Sequence, residues 1–499
     1  MVTDNQIKLY PHQQSGIAFA ADRQAAFFNW GMGSGKTLAA IAAAKDSAVA
    51  IVVCPVSVGP SWARHFVQHD PGRIVVNCFS GTSIQRQNRL ALAMGHVTAG
   101  RRVAILVNYD SVWRPRVAAA IERMPVGMIV LDESHRAKSP GGRASRYLFS
   151  LAKKHKEAKR LCLSGTPCPH SPLDLYGQYR FLAPEIFGTN FAAFRARYSV
   201  PHPRFPSQAV EFINQAELAE KISGVQHSVD SDAVLSLPDA VHTRIDVPLS
   251  RDETRFYMSM AEQLVAEVDG GEVTASNMLT KILRLQQACS GHTTLTLDNG
   301  AKQSVVLDAG AGMTSKGAAL ADWMADVPAK DPIVVFCLFK EDLRQAGLAA
   351  DANNRPSYEL SGSKNDLEVW QGKKDGGVIA VQISSGGVGV DLTRAAHCAF
   401  LSLGYSLGDY EQALARIRRP GQTKSVCRYY HFLAQVDGLK TTIDQLVYSA
   451  LRDRREVVEG LMDAVRELVE KEGNQHGNQF ADNRPDSGFD VTSPRRGRS

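Results

Sequence analysis

The sequence lacks several features that would place it in a specialised class. No apolar run approaches the ~18 residues needed to cross a bilayer, and the polar residues 1–8 contain no signal-peptide core. The eight cysteines are scattered and form no C-x-x-C pair, which argues against a disulfide framework and a zinc site. We therefore expect neither a secreted nor a membrane protein, and free thiols in a reducing compartment.

No strong charge imbalance is present either. The net charge is +6, from 57 Lys and Arg against 51 Asp and Glu, which permits a polyanionic partner but does not require one. Apolar residues make up 44% and charged residues 22%, as in ordinary globular proteins. The length of 499 residues predicts about two to four domains.

A glycine-rich segment, GMGSGKT (31–37), follows an apolar pattern at 25–28 and precedes an alanine-rich helical pattern at 38–45. Strand, loop and helix in this order form a phosphate cradle, because backbone N–H groups and the helix N-terminus converge on an anion. Lys36 would reach the β- and γ-phosphates, and the Thr37 hydroxyl would bind Mg²⁺. A glycine-rich turn before an ordinary helix is the alternative. The nucleotide-binding residues predicted here are Gly33, Ser34, Gly35, Lys36 and Thr37.

An acidic pair follows a second apolar run, VGMIVL (126–131), which predicts a buried parallel strand. Catalytic groups in open α/β sheets gather at the carboxyl ends of strands, where Asp132 and Glu133 would lie. Asp132 suits a Mg²⁺ ligand, and Glu133 suits the base that activates the attacking water. An acidic turn capping the next helix is the alternative. Together with the glycine-rich loop, the pair favours a nucleoside-triphosphate hydrolase.

Strand patterns alternate with helical patterns over most of the chain, which predicts an α/β fold with parallel sheets covered by helices. The clearest strand patterns form two series, at 48–54, 103–108, 127–131 and 160–163, and at 333–337, 378–383, 397–403 and 426–432. Between the series lie helical patterns at 251–268 and 276–289. The predicted domains are an N-terminal lobe at 1–240, a helical insertion at 241–325, a C-terminal lobe at 326–470 and a disordered polar tail at 471–499.

Four further segments carry candidate functional residues. The hydroxyl-rich turn LSGTP (163–167) ends a strand and could sense the γ-phosphate. The glycines of SSGGVGVDLT (384–393), Gly389 among them, allow close approach of backbone or phosphate. In QALARIRRPGQ (412–422), Arg416 and Arg419 are spaced to share one face of a helix, for which a solvated basic helix is the alternative. Gln13 in KLYPHQQ (8–14) is a candidate adenine contact.

These segments, in this order, resemble the Swi/Snf-type DNA-dependent ATPases of helicase superfamily two. The resemblance runs from residue 7 to about residue 433. It is carried by IVVCPVSVGPSWARHF (51–66), LDESHRAKS (131–139), RLQQACSG (284–291), IVVFCLF (333–339) and QALARIRRPGQTKSVCRYY (412–430).

The resemblance implies two RecA-like lobes with ATP and Mg²⁺ between them. Arg416 and Arg419 would then be arginine fingers from the second lobe, and Gln412 would order the water or the γ-phosphate. The expected partner is DNA, bound through its phosphates with little base specificity. We expect a monomeric motor without membrane contact, and its compact size suits the cytoplasm of a bacterium or a phage-infected cell.

Two stretches depart from the family pattern. Asn29-Trp30-Gly31 replaces the usual acidic approach to the phosphate loop. Where the family often has an arginine pair, ahead of LPDA (237–240), this chain has Gln226-His227-Ser228-Val229. Any bracing role of that arginine pair is therefore in doubt.

Three functions compete. The first is an ATP-driven translocase on duplex DNA, and the second is a helicase that separates strands of DNA or RNA. LSGTP stands where RNA helicases of the DEAD type carry Ser-Ala-Thr, which disfavours RNA. The third is a catalytically silent DNA-binding scaffold. Six intact residues argue against it, namely Lys36, Thr37, Asp132, Glu133, Arg416 and Arg419.

Overall fold

The computed structural model describes residues 9–168, 171–201, 209–230, 234–235, 237–269, 275–296, 302–307, 312–383 and 390–453. Gly389 and the predicted tail at 471–499 lie outside the described residues. Statements about side chains below also leave out 264–279 and 294–303.

A seven-stranded sheet forms the first lobe, with strand order β3-β4-β2-β5-β6-β1-β9. Every recorded pairing in it is parallel. Its strands are β1 Ala25–Trp30, β2 Val49–Val53, β3 Ile74–Asn77, β4 Val103–Val107, β5 Val126–Asp132, β6 Lys159–Ser164 and β9 Gln226–Val229. Since β5, β6 and β1 are neighbours, the segments that follow them meet at one edge of the sheet.

A six-stranded sheet forms the second lobe, with strand order β10-β17-β16-β13-β15-β14. The strands from β13 to β17 pair in parallel. Its strands are β10 Asp239–Pro248, β13 Ile333–Cys337, β14 Ser357–Leu360, β15 Val378–Gln382, β16 His397–Phe400 and β17 Val426–Gln435. Two short antiparallel pairs complete the strands, β7 Ser199–Pro201 with β8 Ala209–Phe212 and β11 His292–Thr296 with β12 Lys302–Val306.

Helices connect the strands. In the first half of the chain they are Pro11–Ala21, Lys36–Ala43, Gly59–His69, Ser83–Thr98, Tyr109–Val112, Pro115–Ile121, Arg143–Lys154, Leu175–Leu182, Pro184–Phe187, Phe191–Tyr198 and Gln215–Ser223. In the second half they are Arg251–Asp269, Ala275–Cys289, Ser315–Asp326, Lys340–Ala352, Leu367–Gly372, Leu407–Leu414 and Ile443–Arg452. No helix among the described residues is both long and apolar enough to span a membrane.

The first sheet is buried on both faces because its side chains alternate between two apolar layers. Phe27 and Ile51 pack in one layer, whereas Phe28, Trp30 and Val52 pack in the other. A strand that is apolar on both faces needs helices on both sides of the sheet. This agrees with the alternation of strand and helix patterns along the sequence. The architecture confirms the predicted α/β class, with two sheets whose recorded pairings are parallel and which are flanked by helices.

Among the described residues, one compact unit comprises 9–245, 317–432 and 451–453, and the other comprises 246–316 and 433–450. The predicted helical patterns at 251–268 and 276–289 fall in the second unit and are helices. The predicted domain boundaries at 240, 325 and 470 stay a prediction.

The second unit contains a buried polar cluster. The Lys316 ammonium pairs with the Asp444 carboxylate, and both residues are buried. The Glu253 carboxylate accepts hydrogen bonds from the Ser250 N–H at 2.8 Å and the Ser315 N–H at 2.9 Å. These contacts satisfy the buried charges and fix the unit's internal packing.

Candidate nucleotide-hydrolysis site

The phosphate loop joins the end of β1 to the helix Lys36–Ala43. Gly33 and Gly35 have φ angles of 76° and 78°, a region that other residues rarely adopt. A Cβ built on Gly35 would lie 2.0 Å from Gln13 Nε2. The left-handed backbone conformation therefore favours glycine at this position, and the anion-binding role of the loop N–H groups stays a prediction.

The Lys36 ammonium is held by the loop itself. Lys36 Nζ donates to the Trp30 carbonyl at 2.8 Å and to the Gly31 carbonyl at 3.1 Å. Burial lowers the pKa of Lys36, while the nearby Glu133 and Asp132 carboxylates act to raise it. The loop lysine and the acidic pair therefore share one electrostatic environment.

Asp132 lies at the end of β5 and is 8% exposed. Its Oδ2 accepts a hydrogen bond from Trp62 Nε1 at 2.7 Å, and its Oδ1 accepts from the Glu133 N–H at 3.1 Å. Burial and the Glu133 charge raise the pKa of Asp132 to about 6, although the Trp62 hydrogen bond opposes this. The Tyr109 hydroxyl donates to the Asp132 carbonyl at 2.9 Å and fixes the backbone behind the carboxylate.

Glu133 has a strained backbone and an unsatisfied carboxylate oxygen. Its φ and ψ are 51° and 55°, and its Oε2 is buried without a hydrogen-bond partner. His135 Nδ1 lies 3.5 Å from that oxygen and 3.3 Å from Ser164 Oγ. Burial lowers the pKa of His135 to about 4, so the imidazole is neutral near pH 7 and forms no ion pair. Strain and an unsatisfied buried acceptor together are typical of a functional position.

The acidic pair is connected to the hydroxyl-rich turn after β6. Ser134 Oγ donates to Gln178 Oε1 at 2.7 Å, and Gln178 Nε2 donates to the Pro167 carbonyl at 2.7 Å. Within the turn, the Thr166 N–H donates to Ser164 Oγ at 3.1 Å. Gln178 therefore connects the segment of the acidic pair to the LSGTP turn through two side-chain hydrogen bonds.

The second-lobe arginines differ from the prediction in their local structure. The helix Leu407–Leu414 ends before Arg416, so the two arginines do not share a helical face. They lie in consecutive turns, with the Arg419 N–H bonded to the Ile417 carbonyl at 3.2 Å. Pro420 follows directly and disfavours helical geometry at Arg419, the residue before it.

Arg416 is 9% exposed and faces the same charges as Lys36. Burial lowers the pKa of Arg416 to about 10, against the opposing effect of the Glu133 carboxylate. The guanidinium therefore stays charged near neutral pH. Its charge in turn acts to lower the pKa of Lys36, so groups from both sheets interact around one place.

Arg419 lies against the phosphate loop. A Cβ built on Gly33 would lie 3.6 Å from Arg419 Cβ and 3.0 Å from Pro420 Cδ. Arg419 Nη1 lies 3.4 Å from the Val390 carbonyl, and its Nε is buried without a hydrogen-bond partner. The turn of the second sheet and the loop of the first sheet are thus in direct contact.

The remaining predicted residues are placed as follows. Gln13 Nε2 donates to the loop carbonyls of Ser34 at 3.2 Å and of Gly35 at 3.4 Å, so Gln13 contacts the loop directly. Gln412 is buried in the helix before the arginines. Thr37 is partly buried in the first turn of the helix that follows the loop. The adenine contact of Gln13 and the roles of Gln412 and Thr37 stay predictions.

Three residues without a predicted role, Trp62, Tyr109 and Gln178, form hydrogen bonds with the acidic pair or its neighbours. Trp62 lies within a segment of the family resemblance, and that position was the available signal. Tyr109 and Gln178 carry no local signal, because their role arises from strands and helices that meet only in the folded chain.

An open cavity of about 490 Å³ lies beside the phosphate loop. Asn29, Gly31 and Thr166 line it from the first lobe, and Glu411 and Arg418 line it from the second. The space next to the loop is therefore bounded by both lobes.

Comparison with known proteins places these features in a family. The model of the SNF2-related domain matches residues 12–294, more than half of the chain. The human DNA annealing helicase and endonuclease ZRANB3 is 24% identical over 93% of this chain, which spans 41% of that protein's length. Putative protein p41 of Acyrthosiphon pisum secondary endosymbiont phage 1 is 24% identical over 87% of this chain and 94% of its own.

Among solved structures, the Sulfolobus solfataricus SWI2/SNF2 ATPase core in complex with dsDNA has 20% sequence identity and a TM-score of 0.41, over 93% of this chain and 97% of that chain. The match of the family model over most of the first lobe agrees with the loop and the acidic pair found there. The chain belongs to the SNF2-related domain family.

Proposed function

We propose that this protein is a DNA-dependent ATPase that hydrolyses ATP to ADP and phosphate and moves along duplex DNA. One observation carries the proposal. The turn of the second sheet that carries Arg419 lies against the phosphate loop, where a Cβ built on Gly33 would lie 3.6 Å from Arg419 Cβ, and the nearby Arg416 shares the electrostatic environment of Lys36 and the acidic pair. An ATPase of two lobes needs this convergence, because nucleotide bound by one lobe must be sensed by the other.

The loop would bind the triphosphate through its backbone N–H groups and Lys36. In the described structure the Lys36 ammonium is bonded to two loop carbonyls. Phosphate oxygens would compete for this ammonium, and they are the stronger acceptors because they carry charge. Gly33, Ser34 and Gly35 supply the cradle, and Gln13 lies close enough to couple the base to the loop.

Magnesium fits the oxygen donors at this site. The described residues contain no group of three or more His, Cys, Asp or Glu side chains that could hold a metal alone. Thr37 and Asp132 would be the protein ligands of Mg²⁺, and phosphate oxygens and water would complete its coordination. The ion would neutralise charge on the phosphates.

Glu133 is the candidate general base. Its buried Oε2 has an unused acceptor position, which can take a proton from a water molecule beside the γ-phosphate. The neutral His135 next to it would orient the carboxylate without neutralising it. Arg416 and Arg419 would stabilise charge on the departing phosphoryl group, and Gln412 would order the water.

Translocation would follow because the phosphate loop belongs to one lobe and the arginines belong to the other. ATP favours the arginines close to the loop, and loss of the γ-phosphate removes the group that they stabilise. The lobes would then separate and their holds on DNA would alternate. The family membership and the relative named as a DNA annealing helicase support DNA as the partner. The phage relative supports a bacterial or phage setting.

Phosphate release with and without DNA tests the proposal. Hydrolysis should require Mg²⁺ and rise several-fold with duplex DNA, and Lys36→Ala should abolish it. Equal rates with and without duplex, forked and single-stranded DNA would contradict a DNA motor. Displacement of a third strand from a triplex, without separation of a forked duplex, would favour translocation over strand separation, which is the alternative function.

A further inference from the structure

The stretches 29–31 and Gln226–Val229 are neighbours in the fold. Trp30 ends β1 and His227 lies in β9, and the two strands pair in parallel with Trp30 opposite Val229. Trp30 Nε1 donates a hydrogen bond to His227 Nδ1 at 2.9 Å, and the indole is fully buried. Trp30 and His227 are therefore joined through both their side chains and their strands.

The indole is fixed on several sides. It stacks on Phe28 with the rings 4.4 Å apart, and the edge of His12 lies 5.4 Å from it. A Cβ built on Gly16 would lie 2.1 Å from the indole, so the helix Pro11–Ala21 packs directly on it. His12 Nε2 lies 2.8 Å from the Ser34 carbonyl, which extends this packing to the phosphate loop.

The backbone of Trp30 belongs to the nucleotide site. Its carbonyl accepts from the Lys36 ammonium at 2.8 Å, as does the next carbonyl, that of Gly31, at 3.1 Å. The Gly31 N–H donates to the Val229 carbonyl at 3.2 Å. The two carbonyls that hold Lys36 are therefore positioned by β9, through one backbone bond and one side-chain bond.

The hydrogen bonds of His227 determine which of its ring nitrogens carries the proton. An indole N–H can only donate, so His227 Nδ1 must carry no proton. Its Nε2–H then donates to Ser15 Oγ, 3.1 Å away. Burial lowers the pKa of His227, and the charge of the facing His12 acts in the same direction. Phe19 and Phe28 are the other rings against it.

We propose that His227 and Trp30 are positioning residues that hold the start of the phosphate loop in the geometry that binds nucleotide. This inference rests on the proposed ATPase function. The His227 acceptor fixes the indole, the indole fixes the Trp30 backbone, and that backbone places Lys36. Neither side chain needs to touch the reacting phosphate, so their effect falls on nucleotide binding more than on the chemical step.

The test compares His227→Phe, which keeps a ring but removes the acceptor, with His227→Asn, whose amide oxygen can replace Nδ1 as a neutral acceptor. Equilibrium binding of Mg·ADP without DNA is the primary measurement, and KM and kcat for ATP at saturating DNA are the second. For His227→Phe we expect about a tenfold weaker ADP affinity and a similar rise in KM, with kcat nearly unchanged. His227→Asn should bind close to wild type. Trp113→Phe, a tryptophan of the same lobe away from the loop, is the matched control.

The pH dependence supplies a readout that folding defects do not reproduce. Since the folded pKa of His227 is lowered, the hydrogen bond persists at and below the ordinary histidine pKa of about 6.5, and it is lost as the pH falls through the lowered folded pKa. Wild-type ADP affinity should then fall more steeply on acidification than that of His227→Asn. If His227→Phe does not fold, the pH profiles of ADP affinity in the wild type and in His227→Asn are sufficient to test the inference.

Wild-type affinity in a folded His227→Phe, or equal pH profiles for wild type and His227→Asn, would overturn the inference while leaving the ATPase proposal intact. Absence of nucleotide binding in the wild type would instead refute the proposed function.

Discussion

Replacing Arg416 provides the sharpest test of the two-lobe site. Arg416 is 9% exposed and is charged, and its charge acts on Lys36, Glu133 and Asp132. An arginine finger is worth about 10³–10⁵ in rate, which corresponds to about 4–7 kcal/mol of transition-state stabilisation. Because Arg419 remains against the loop, we expect Arg416→Ala to lose about 10³ in kcat, at the lower end of that range.

Arg416→Lys should be nearly as damaging as Arg416→Ala, because an ammonium cannot reproduce the planar guanidinium fork. The measurement is phosphate release at saturating ATP and duplex DNA, beside DNA affinity without nucleotide. Arg344→Ala is a matched control, since this arginine is partly exposed and pairs with Glu341 on its own helix.

The competing explanation is that Arg416 binds DNA. It predicts weakened DNA affinity, a shallower salt dependence and near-normal hydrolysis once DNA saturates. If Arg416→Ala keeps wild-type hydrolysis at saturating DNA, the finger assignment is wrong.

Further substitutions separate binding, chemistry and stability. Lys36→Ala should lose productive ATP binding, whereas Glu133→Gln should bind ATP and hydrolyse it slowly; a nucleotide-binding titration beside phosphate release distinguishes them, and wild-type turnover in Glu133→Gln would place the base elsewhere. Gly33→Ala should weaken nucleotide binding, because its φ is 76° and the added methyl would lie 3.0 Å from a proline of the second lobe; unchanged affinity would contradict the close contact between loop and turn. Asp70→Ala should lower the free energy of unfolding by about 3 kcal/mol, because it leaves the buried guanidinium of Arg73 without its carboxylate partner. In urea titrations, the exposed control Glu122→Ala should lose less than about 1 kcal/mol, and a similar loss in both variants would refute the burial argument.

The strands of both lobes and the phosphate loop could be predicted because their signals are local. Predicted strands at 48–54 and 333–337 match Val49–Val53 and Ile333–Cys337, since continuous β-branched runs bounded by turns suit buried parallel strands. The glycine-rich loop follows β1 and the acidic pair lies at the end of β5, as their local patterns predict, and their chemistry stays a prediction.

What could not be predicted depends on contacts between distant segments. The strand β9 is four residues long and largely polar, so it has no apolar pattern and is defined only by pairing with β1. The bond between Trp62 and Asp132 likewise joins segments that only the sheet brings together. The spacing of Arg416 and Arg419 predicts a shared helical face, but the helix ends at Leu414 and Pro420 disfavours helical geometry at Arg419.

The chain segment between the two sheets is attached at both ends to parts of the nucleotide site. At its start, the Val229 carbonyl accepts from the Gly31 N–H of the phosphate loop at 3.2 Å. At its end, the Pro238 carbonyl accepts from Arg418 Nε at 2.7 Å, between the two candidate finger arginines. Under the proposed function, a movement of the arginines relative to the loop must therefore change the span between these two attachment points.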